Sequence, residues 1–330
     1  MNRSPLPDDL VAPFSLDNAP VRGRSARLGP LALDPILRRH DYPRCAAMLL
    51  GEALTLAALV QSLLKADGRL IVQAQGAGLV PLLVAEVGEG GALRGYARLA
   101  DGAAETLARE HRVAPADLLG AGNLVMTLER GGDQPAYQGV VPLEGATLAQ
   151  CAENFFKVSE QTDTRIALAV GEVLGGEAPL WREGGILMQR VASDAARGDT
   201  SEDWSRASIL FSTVTDAELI DPDLQADRLL YRLFHEEGVR MGEAATVRDL
   251  CTCDEGRLTN VMKQFPANEL RELVEPDGKL HARCQFCSRE YLIAPDRVIA
   301  DQPGSMRWIS GSRSSSWCFS APPICAMSSA

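Results

Sequence analysis

Four cysteines near the C-terminal end are the residues whose types and spacing point most directly to chemistry. Cys251 and Cys253 form a CTC pair, and after a gap of thirty residues Cys284 and Cys287 form a CQFC pair. Two such pairs can converge on one tetrahedral centre, and Zn²⁺ prefers thiolate ligands at about 2.3 Å. We therefore predict one Zn²⁺ per chain. Because a Cys₄ shell has no open position for substrate, the predicted site is structural or regulatory, not hydrolytic.

The segment that carries these cysteines, 247–298, is too short for an apolar core to stabilise it alone, so a metal is physically expected there. Four thiolates around a dication leave a local charge of about −2. Nearby cations that could balance this charge are Arg248, Arg257, Lys263, Arg283 and Arg289. His281 also lies close by, but four cysteines already complete the ligand shell.

Thiolates that bind zinc are also the groups that peroxide and hypochlorous acid attack. A sulfenic acid formed on one sulfur can be resolved by its neighbour. Oxidation then removes the ligands, the metal leaves, and the fold loses about 10–16 kcal/mol of zinc binding. The cysteine pattern thus predicts a switch that works by local unfolding.

The composition limits the class of protein that carries this site. The chain has 330 residues, 46% of them hydrophobic, and a formal net charge of −11, which predicts two or three globular domains. The acidic balance argues against nucleic acid or an anionic membrane surface as a partner. The first twenty residues contain prolines and acids where a secretory signal needs an apolar stretch, so we expect a cytoplasmic protein. Structural disulfides are rare in that compartment.

The hydrophobic pattern of the first 191 residues predicts an α+β core domain of antiparallel sheets with packed helices. Residues 45–64 are apolar enough to suggest a membrane span, but Glu52 lies inside the segment, and a central buried helix is the better interpretation. Cys45 and Cys151 are expected to be buried thiols. A second helix is predicted at 145–161, and strands are predicted at 69–75, 79–87, 92–99, 123–130, 136–141, 164–173 and 185–191.

The remaining chain is divided by composition. Residues 192–246 are predicted to be a linker region, polar at 192–205 and helical from Pro222, with Asp221 as the N-cap. The zinc domain follows at 247–298. The tail, 299–330, is serine-rich and is predicted to be disordered. The apolar stripe of the linker helix consists of Leu224, Leu230, Tyr231, Leu233 and Phe234.

These features together resemble the heat-shock protein 33 family of bacterial redox-regulated holdase chaperones. The similarity lies in the CTC and CQFC pairs and in four further stretches. Together these cover about residues 8–298 and follow one another in the same order as in the family. These stretches are HDYPRCAAMLLGEALTLAALVQSLLKADGRLIVQ, LRGYARL, YQGVVPLEGATLAQCAENFFKVSEQ and LYRLFHEEGVR.

The resemblance implies a chaperone and not an enzyme. It implies that the four cysteines bind zinc when reduced and form Cys251–Cys253 and Cys284–Cys287 disulfides when oxidised. Oxidation is then expected to unfold the zinc domain and the linker, exposing apolar surface that holds unfolding client proteins without ATP, often in a dimer. A disulfide across one intervening residue is strained, and so is readily reduced again.

The linker stripe is our hypothesis for the client-binding surface, because a large apolar face that loses its cover binds other proteins. A plain amphipathic helix packed permanently on its own domain explains the stripe equally well. Two other functions also remain open: a zinc-ribbon binding module with purely structural zinc, and a thiol–disulfide oxidoreductase that uses CQFC. The tail departs from the family pattern, and Cys318 and Cys325 leave open which disulfides form.

Overall fold

Antiparallel strands with helices between them make up the part of the chain that the computed structural model describes. This part comprises residues 8–64, 68–109, 114–130, 135–174, 178–191, 200–299 and 318–319. The chain divides into two compact units, Met1–Leu250 and Cys251–Ala330.

The first unit contains most of the secondary structure. Its elements in chain order are β1 (Leu10–Leu16), β2 (Val21–Leu28), α1 (Leu33–Arg38), α2 (Arg44–Gln61), β3 (Gly68–Gly76), β4 (Leu82–Val87), β5 (Ala92–Arg98), α3 (Ala103–Arg109), α4 (Pro115–Leu119), β6 (Gly122–Arg130), β7 (Tyr137–Pro142), α5 (Leu148–Ser159), β8 (Thr164–Leu174), β9 (Pro179–Arg190), α6 (Ser201–Phe211), α7 (Asp216–Ile220), α8 (Ala226–Phe234), β10 (Val239–Met241), β11 (Ala245–Thr246) and β12 (Arg248–Asp249). Short 3₁₀ turns lie at Glu89–Gly91 and His235–Glu237.

The second unit is smaller. Its elements are α9 (Glu255–Met262), α10 (Ala267–Glu272), β13 (Leu280–Cys284), β14 (Glu290–Ile293), α11 (Asp296–Ile299) and β15 (Cys318–Phe319). Strand β15 pairs with β13 in parallel. Of the predicted disordered tail, 299–330, Ile299 belongs to α11, and residues 300–317 and 320–330 lie outside the described residues.

Two sheets build the first unit, and the predicted fold class, α+β with antiparallel sheets, is confirmed. One sheet has the order β10-β1-β2-β9-β8, with β11 also on β1; the other has the order β12-β5-β4-β3-β6-β7. The strands predicted at 69–75, 79–87 and 92–99 correspond to β3, β4 and β5, and those predicted at 123–130 and 136–141 correspond to β6 and β7. Strand β12 joins β5 in parallel.

Helix α2 occupies the centre of the first unit, as its composition predicts. Leu50, Leu54, Leu56 and Leu59 are completely buried. By length and composition this helix could cross a membrane, but 72% of it is buried inside the unit. The apolar surface of α2 is therefore covered by its own domain.

Two predictions about individual elements are wrong, and two strands were missed. Strands β1 and β2 were not predicted, because alternating arginines in VRGRSARL obscure the apolar period of β2. The linker helix does not begin at Pro222: the Asp221 carboxylate accepts the backbone N–H of Asp223, which forms a turn, and α8 begins after Gln225. Residues 201–205 of the predicted polar linker belong to α6, while 192–199 lie outside the described residues.

Two carboxyl groups inside the first unit make its stability depend on pH. Burial raises the pKa of Glu183 on β9 well above its ordinary value; the nearby Thr55 hydroxyl lowers it in part, and the charge of Glu52 raises it again. Burial, and next the charge of Asp216, raise the pKa of Glu52 on α2 to about 7. Both groups therefore bind protons more tightly in the folded chain than in the unfolded one.

We expect the free energy of unfolding to fall as the pH rises. A raised folded pKa contributes stability that is fully present below the unfolded pKa, about 4.3, and is lost as the pH rises through the folded pKa, here about 7 for Glu52. Urea unfolding of the reduced, zinc-loaded protein should therefore show a lower free energy at pH 8.5 than at pH 6. Glu183→Gln should reduce this loss, whereas Glu105→Gln, on the exposed side of α3, should not. An identical loss in Glu183→Gln and the unmodified chain would contradict the assignment.

Candidate metal centre

The first cysteine pair lies in a turn that leads into α9. The Asp254 carboxylate caps this helix by accepting the backbone N–H of Arg257 at 2.8 Å. The Arg257 guanidinium in turn donates to the carbonyl oxygen of Thr252 at 3.0 Å. These local bonds fix the backbone between Cys251 and Cys253.

The second cysteine pair lies in the connection between β13 and β14. Cys284 is the last residue of β13, and its backbone N–H donates to the carbonyl of Arg289 at 2.9 Å. The N–H of Ser288 donates to the carbonyl of Cys284, also at 2.9 Å, and Ser288 adopts a left-handed backbone with φ 58°. The hairpin therefore turns tightly and brings Cys287 back towards Cys284.

The four sulfur atoms form one cluster. All lie within 4.8 Å of one another; the Sγ atoms of Cys251 and Cys284 are 3.8 Å apart, and those of Cys253 and Cys287 are 3.3 Å apart. Cys284 is buried, and the other three are partly exposed. The convergence predicted from the spacing is confirmed. By contrast, Cys45 and Cys151 are buried in the first unit, as expected.

The cluster fits a tetrahedral ion bound by thiolates. Four sulfurs at about 2.3 Å from a common centre lie about 3.8 Å apart, close to the longer of the two distances above. The hydrogen bond with Cys251, followed by burial, raises the pKa of the Cys284 thiol far above its usual range. Burial and the contact with Cys253 raise the pKa of Cys287 to about 11. A dication at the centre would supply positive charge that balances the negative charges of the thiolates.

Two residues beside the cluster extend it beyond the cysteines. The Tyr291 hydroxyl lies 3.2 Å from the Sγ atom of Cys253 and 3.2 Å from the carbonyl oxygen of Cys253. Arg289, one of the predicted counter-charges, interacts electrostatically with the Tyr291 hydroxyl and with Cys253 and Cys287. Tyr291 was not predicted from the sequence. The sequence signal that could have indicated it is its position, two residues after Arg289 and on the strand that follows the second cysteine pair.

His281 is not part of the sulfur cluster. Its Nε2 atom lies 3.0 Å from the Oδ2 atom of Asp277, and both side chains are largely exposed. This position of His281 agrees with the expectation that four cysteines complete the ligand shell without it.

The predicted client-binding stripe lies in the first unit and is not a single exposed face. Leu230, Leu233 and Phe234 on α8 are buried, and Leu224 is half-buried just before the helix. Tyr231 points away from the others and is 65% exposed. The buried face of α8 also includes Leu229, which was not predicted.

A second apolar core lies beneath α8, separate from the core around α2. The ring of Phe14 on β1 stacks on Phe234 with centroids 6.3 Å apart. On β9, Ile186 and Met188 belong to this second core, whereas Leu187 belongs to the core around α2. The two cores thus lie on opposite faces of one sheet. Helices α6, α7 and α8 cover one face and α2 covers the other.

Buried and partly buried ion pairs hold the end of α8 and the chain after it. Glu237, which is buried, pairs with Arg206 of α6 at 2.5 Å. Further along, Asp249 of β12 pairs with Arg39, and the N–H of Leu250 donates to the carbonyl of Leu93 at 3.1 Å. The chain between α8 and Cys251 is therefore attached to the first unit by short strands and single contacts.

The fold and the sulfur cluster define a two-unit α+β protein with four thiols positioned to bind a metal ion. A family model described as "Hsp33 protein" matches residues 9–294. The chain belongs to the Hsp33 family, and this membership assigns it to the chaperones.

Individual relatives agree with this assignment. The chain is 50% identical over 290 residues to a "33 kDa chaperonin" of Caulobacter vibrioides, covering 87% of this chain and 95% of that protein. It is 36% identical over 288 residues to a "33 kDa chaperonin" of Neisseria gonorrhoeae, covering 87% and 89%. The crystal structure of the Hsp33 homologue of Thermotoga maritima shares the fold with a TM-score of 0.71 at 20% identity, covering 88% of this chain and 96% of that one.

Proposed function

We propose that this protein is a redox-regulated, ATP-independent holdase chaperone, inactive when reduced and zinc-bound. The observation that carries the proposal is that four thiols from two pairs lie within 4.8 Å of one another in a chain of the Hsp33 family. Zinc, when bound by Cys251, Cys253, Cys284 and Cys287, would neutralise the thiolates and cross-link the turn before α9 to the β13–β14 connection.

Oxidation switches the protein by removing these ligands. In each pair, one sulfur reduces a peroxide, giving a sulfenic acid and one water; the second sulfur then displaces the hydroxyl as another water and forms the disulfide. The products are the Cys251–Cys253 and Cys284–Cys287 disulfides, and two peroxides supply the oxidation of the whole cluster. A disulfide sulfur carries no charge to bind a cation.

The neighbouring pairing is favoured once the second unit loosens. In the folded cluster the Sγ atoms of Cys253 and Cys287 are only 3.3 Å apart, so a disulfide between the pairs is the competing product. After unfolding, partners from different pairs are separated by about thirty residues, and closing such a loop costs more entropy than joining neighbours. Peptide mapping of the oxidised chain distinguishes the two products.

The proposed client surface is the buried face of α8 together with the sheet face beneath it. Each large apolar side chain on these faces gains about 1.5–3 kcal/mol from burial, so their exposure creates a surface that binds unfolded proteins. The short strands β10, β11 and β12 connect α8 to Cys251. Unfolding of the second unit would mean that these strands are followed in the chain by an unfolded segment. The clients are unfolded or partly folded proteins in the cytoplasm, and we propose that the oxidised form binds them as a homodimer.

A light-scattering assay tests the proposed function. A chemically unfolded client is diluted into buffer with either the reduced, zinc-loaded protein or protein oxidised by peroxide at mildly raised temperature. We expect only the oxidised form to suppress aggregation, with about one zinc released per chain. Zinc release without suppression would favour a binding module with structural zinc. Catalytic turnover of a disulfide substrate by metal-free protein would favour an oxidoreductase.

A further inference from the structure

The four sulfurs of the metal centre do not have equivalent surroundings, and the Cys253 sulfur is the one that the Tyr291 hydroxyl contacts. Tyr291 lies on β14, opposite Ala282 of β13, and is partly buried. Strand pairing therefore fixes the backbone of Tyr291, and its hydroxyl oxygen lies 3.2 Å from the Cys253 sulfur. Among the described residues, the Cys253 sulfur is thus contacted both by a thiol, that of Cys287, and by a hydroxyl.

The direction of this hydrogen bond follows from the groups around it. The Cys253 carbonyl oxygen can only accept a hydrogen bond, so the Tyr291 hydroxyl carries its proton on the side that faces Cys253. Two acceptors are in reach at 3.2 Å: the Cys253 sulfur and the Cys253 carbonyl oxygen. A charged acceptor forms the stronger hydrogen bond, so the proton turns to the sulfur when Cys253 is a thiolate.

We propose that Tyr291 is a positioning residue that donates its hydroxyl proton to the Cys253 thiolate and slows oxidation at this sulfur. This inference rests on the proposed redox function and concerns the regulation of the same site. Peroxide is attacked by a sulfur lone pair, which forms the S–O bond while the O–O bond breaks and hydroxide leaves. A hydrogen bond to a thiolate stabilises its negative charge and so makes the sulfur a weaker nucleophile towards peroxide. The bond from Tyr291 therefore raises the barrier at Cys253 and leaves the first oxidation to another sulfur of the cluster.

Tyr291→Phe tests this role, because it keeps the ring and removes only the hydroxyl. Reduced, zinc-loaded protein is treated with peroxide while zinc release is followed with a chromogenic chelator, and the first sulfenic acid is trapped and located by peptide mass spectrometry. We expect zinc release about three- to tenfold faster, the size expected for one hydrogen bond. We also expect a larger share of the trapped label on Cys253. Arg289→Gln should act in the same direction with a smaller effect.

Two controls separate a specific hydrogen bond from a general loosening of the fold. Tyr231→Phe changes an exposed tyrosine of the first unit and should leave both the rate and the label unchanged. Zinc removal by chelator without oxidant should stay within about twofold in Tyr291→Phe, since the ring packing is kept. An unchanged rate, or a faster rate with the label distributed as before, would overturn the inference. Either result leaves the proposed function standing if the unmodified chain still releases zinc and becomes active on oxidation.

Discussion

Replacement of Cys284 by serine is expected to abolish stoichiometric zinc binding and to unfold the second unit. Cys284 is the most buried of the four thiols and ends a strand of the small core. Among the described residues, this core contains seven buried apolar residues, namely Met262, Leu270, Leu280, Ala282, Ile293, Val298 and Ile299. Structural zinc contributes about 10–16 kcal/mol, as much as the whole stability of a typical domain. Loss of one ligand therefore removes the main support of the fold.

Zinc content per chain and amide hydrogen exchange measure this effect. In Cys284→Ser we expect zinc well below one per chain and little exchange protection in α9, β13 and β14, while α2 keeps its protection. Cys151→Ser, which alters a buried thiol of the first unit, serves as the control and should retain zinc. A Cys284→Ser protein with one zinc per chain and a protected second unit would show that the four-thiol cluster is not the metal site.

Truncation of Leu230 on α8 is expected to destabilise the first unit and to lower the oxidant needed for chaperone activity. Leu230 is completely buried in the core between α8 and the sheet, next to Phe234. Removing a large apolar side chain at such a position costs about 2–5 kcal/mol. Because the loss falls on the contacts that hold α8 to the sheet, it should favour release of the helix over unfolding of the core around α2.

Tyr231→Ala is the matched control, since Tyr231 is the neighbouring residue on the same helix but is 65% exposed. Its effect on the free energy of unfolding should lie within about 0.5 kcal/mol. Urea unfolding followed by tryptophan fluorescence gives the stabilities, and light scattering with increasing peroxide gives the activity. If Leu230→Ala lost stability yet needed as much oxidant as the unmodified chain, the release of α8 would not limit activation.

The metal centre could be predicted closely from the sequence because the residues of each cysteine pair are close together in the chain. Two cysteine pairs of fixed spacing determine the ligand types, and each pair lies in one turn, so only their convergence depended on the tertiary fold. Tyr291 could not be predicted in the same way. Its contact with Cys253 joins residues 38 positions apart and depends on the register of the β13–β14 hairpin.

The fold was predicted well where apolar periodicity is strong and poorly where charge interrupts it. Helix α2 and the strands from β3 to β9 follow clear patterns, and their positions agree with the structure to within a few residues, apart from the start of β9. Strand β2 carries arginines whose partners come from distant segments: Arg27, for example, forms an ion pair with Asp8 and donates a hydrogen bond to the carbonyl of Asp221. The sequence shows the charge of such a residue but not the partner that allows its burial.

The predicted client stripe shows a similar limit. The spacing of its apolar residues is helical, but a helix of nine residues has two faces, and Tyr231 falls on the outer one. The identity of the partner surface, Phe14 on β1 with Ile186 and Met188 on β9, depends on a sheet whose first two strands the pattern did not reveal.

Hydrogen–deuterium exchange of the full chain before and after oxidation tests the central claim most directly, namely that oxidation of the four thiols uncovers α8. Reduced, zinc-loaded protein and peroxide-treated protein are compared peptide by peptide, with aggregation suppression measured on the same samples. We predict that protection is lost in the second unit and in α8, and retained in α2, in the samples that suppress aggregation. Full protection of α8 in oxidised, active protein would contradict the account and would place the client surface elsewhere in the molecule.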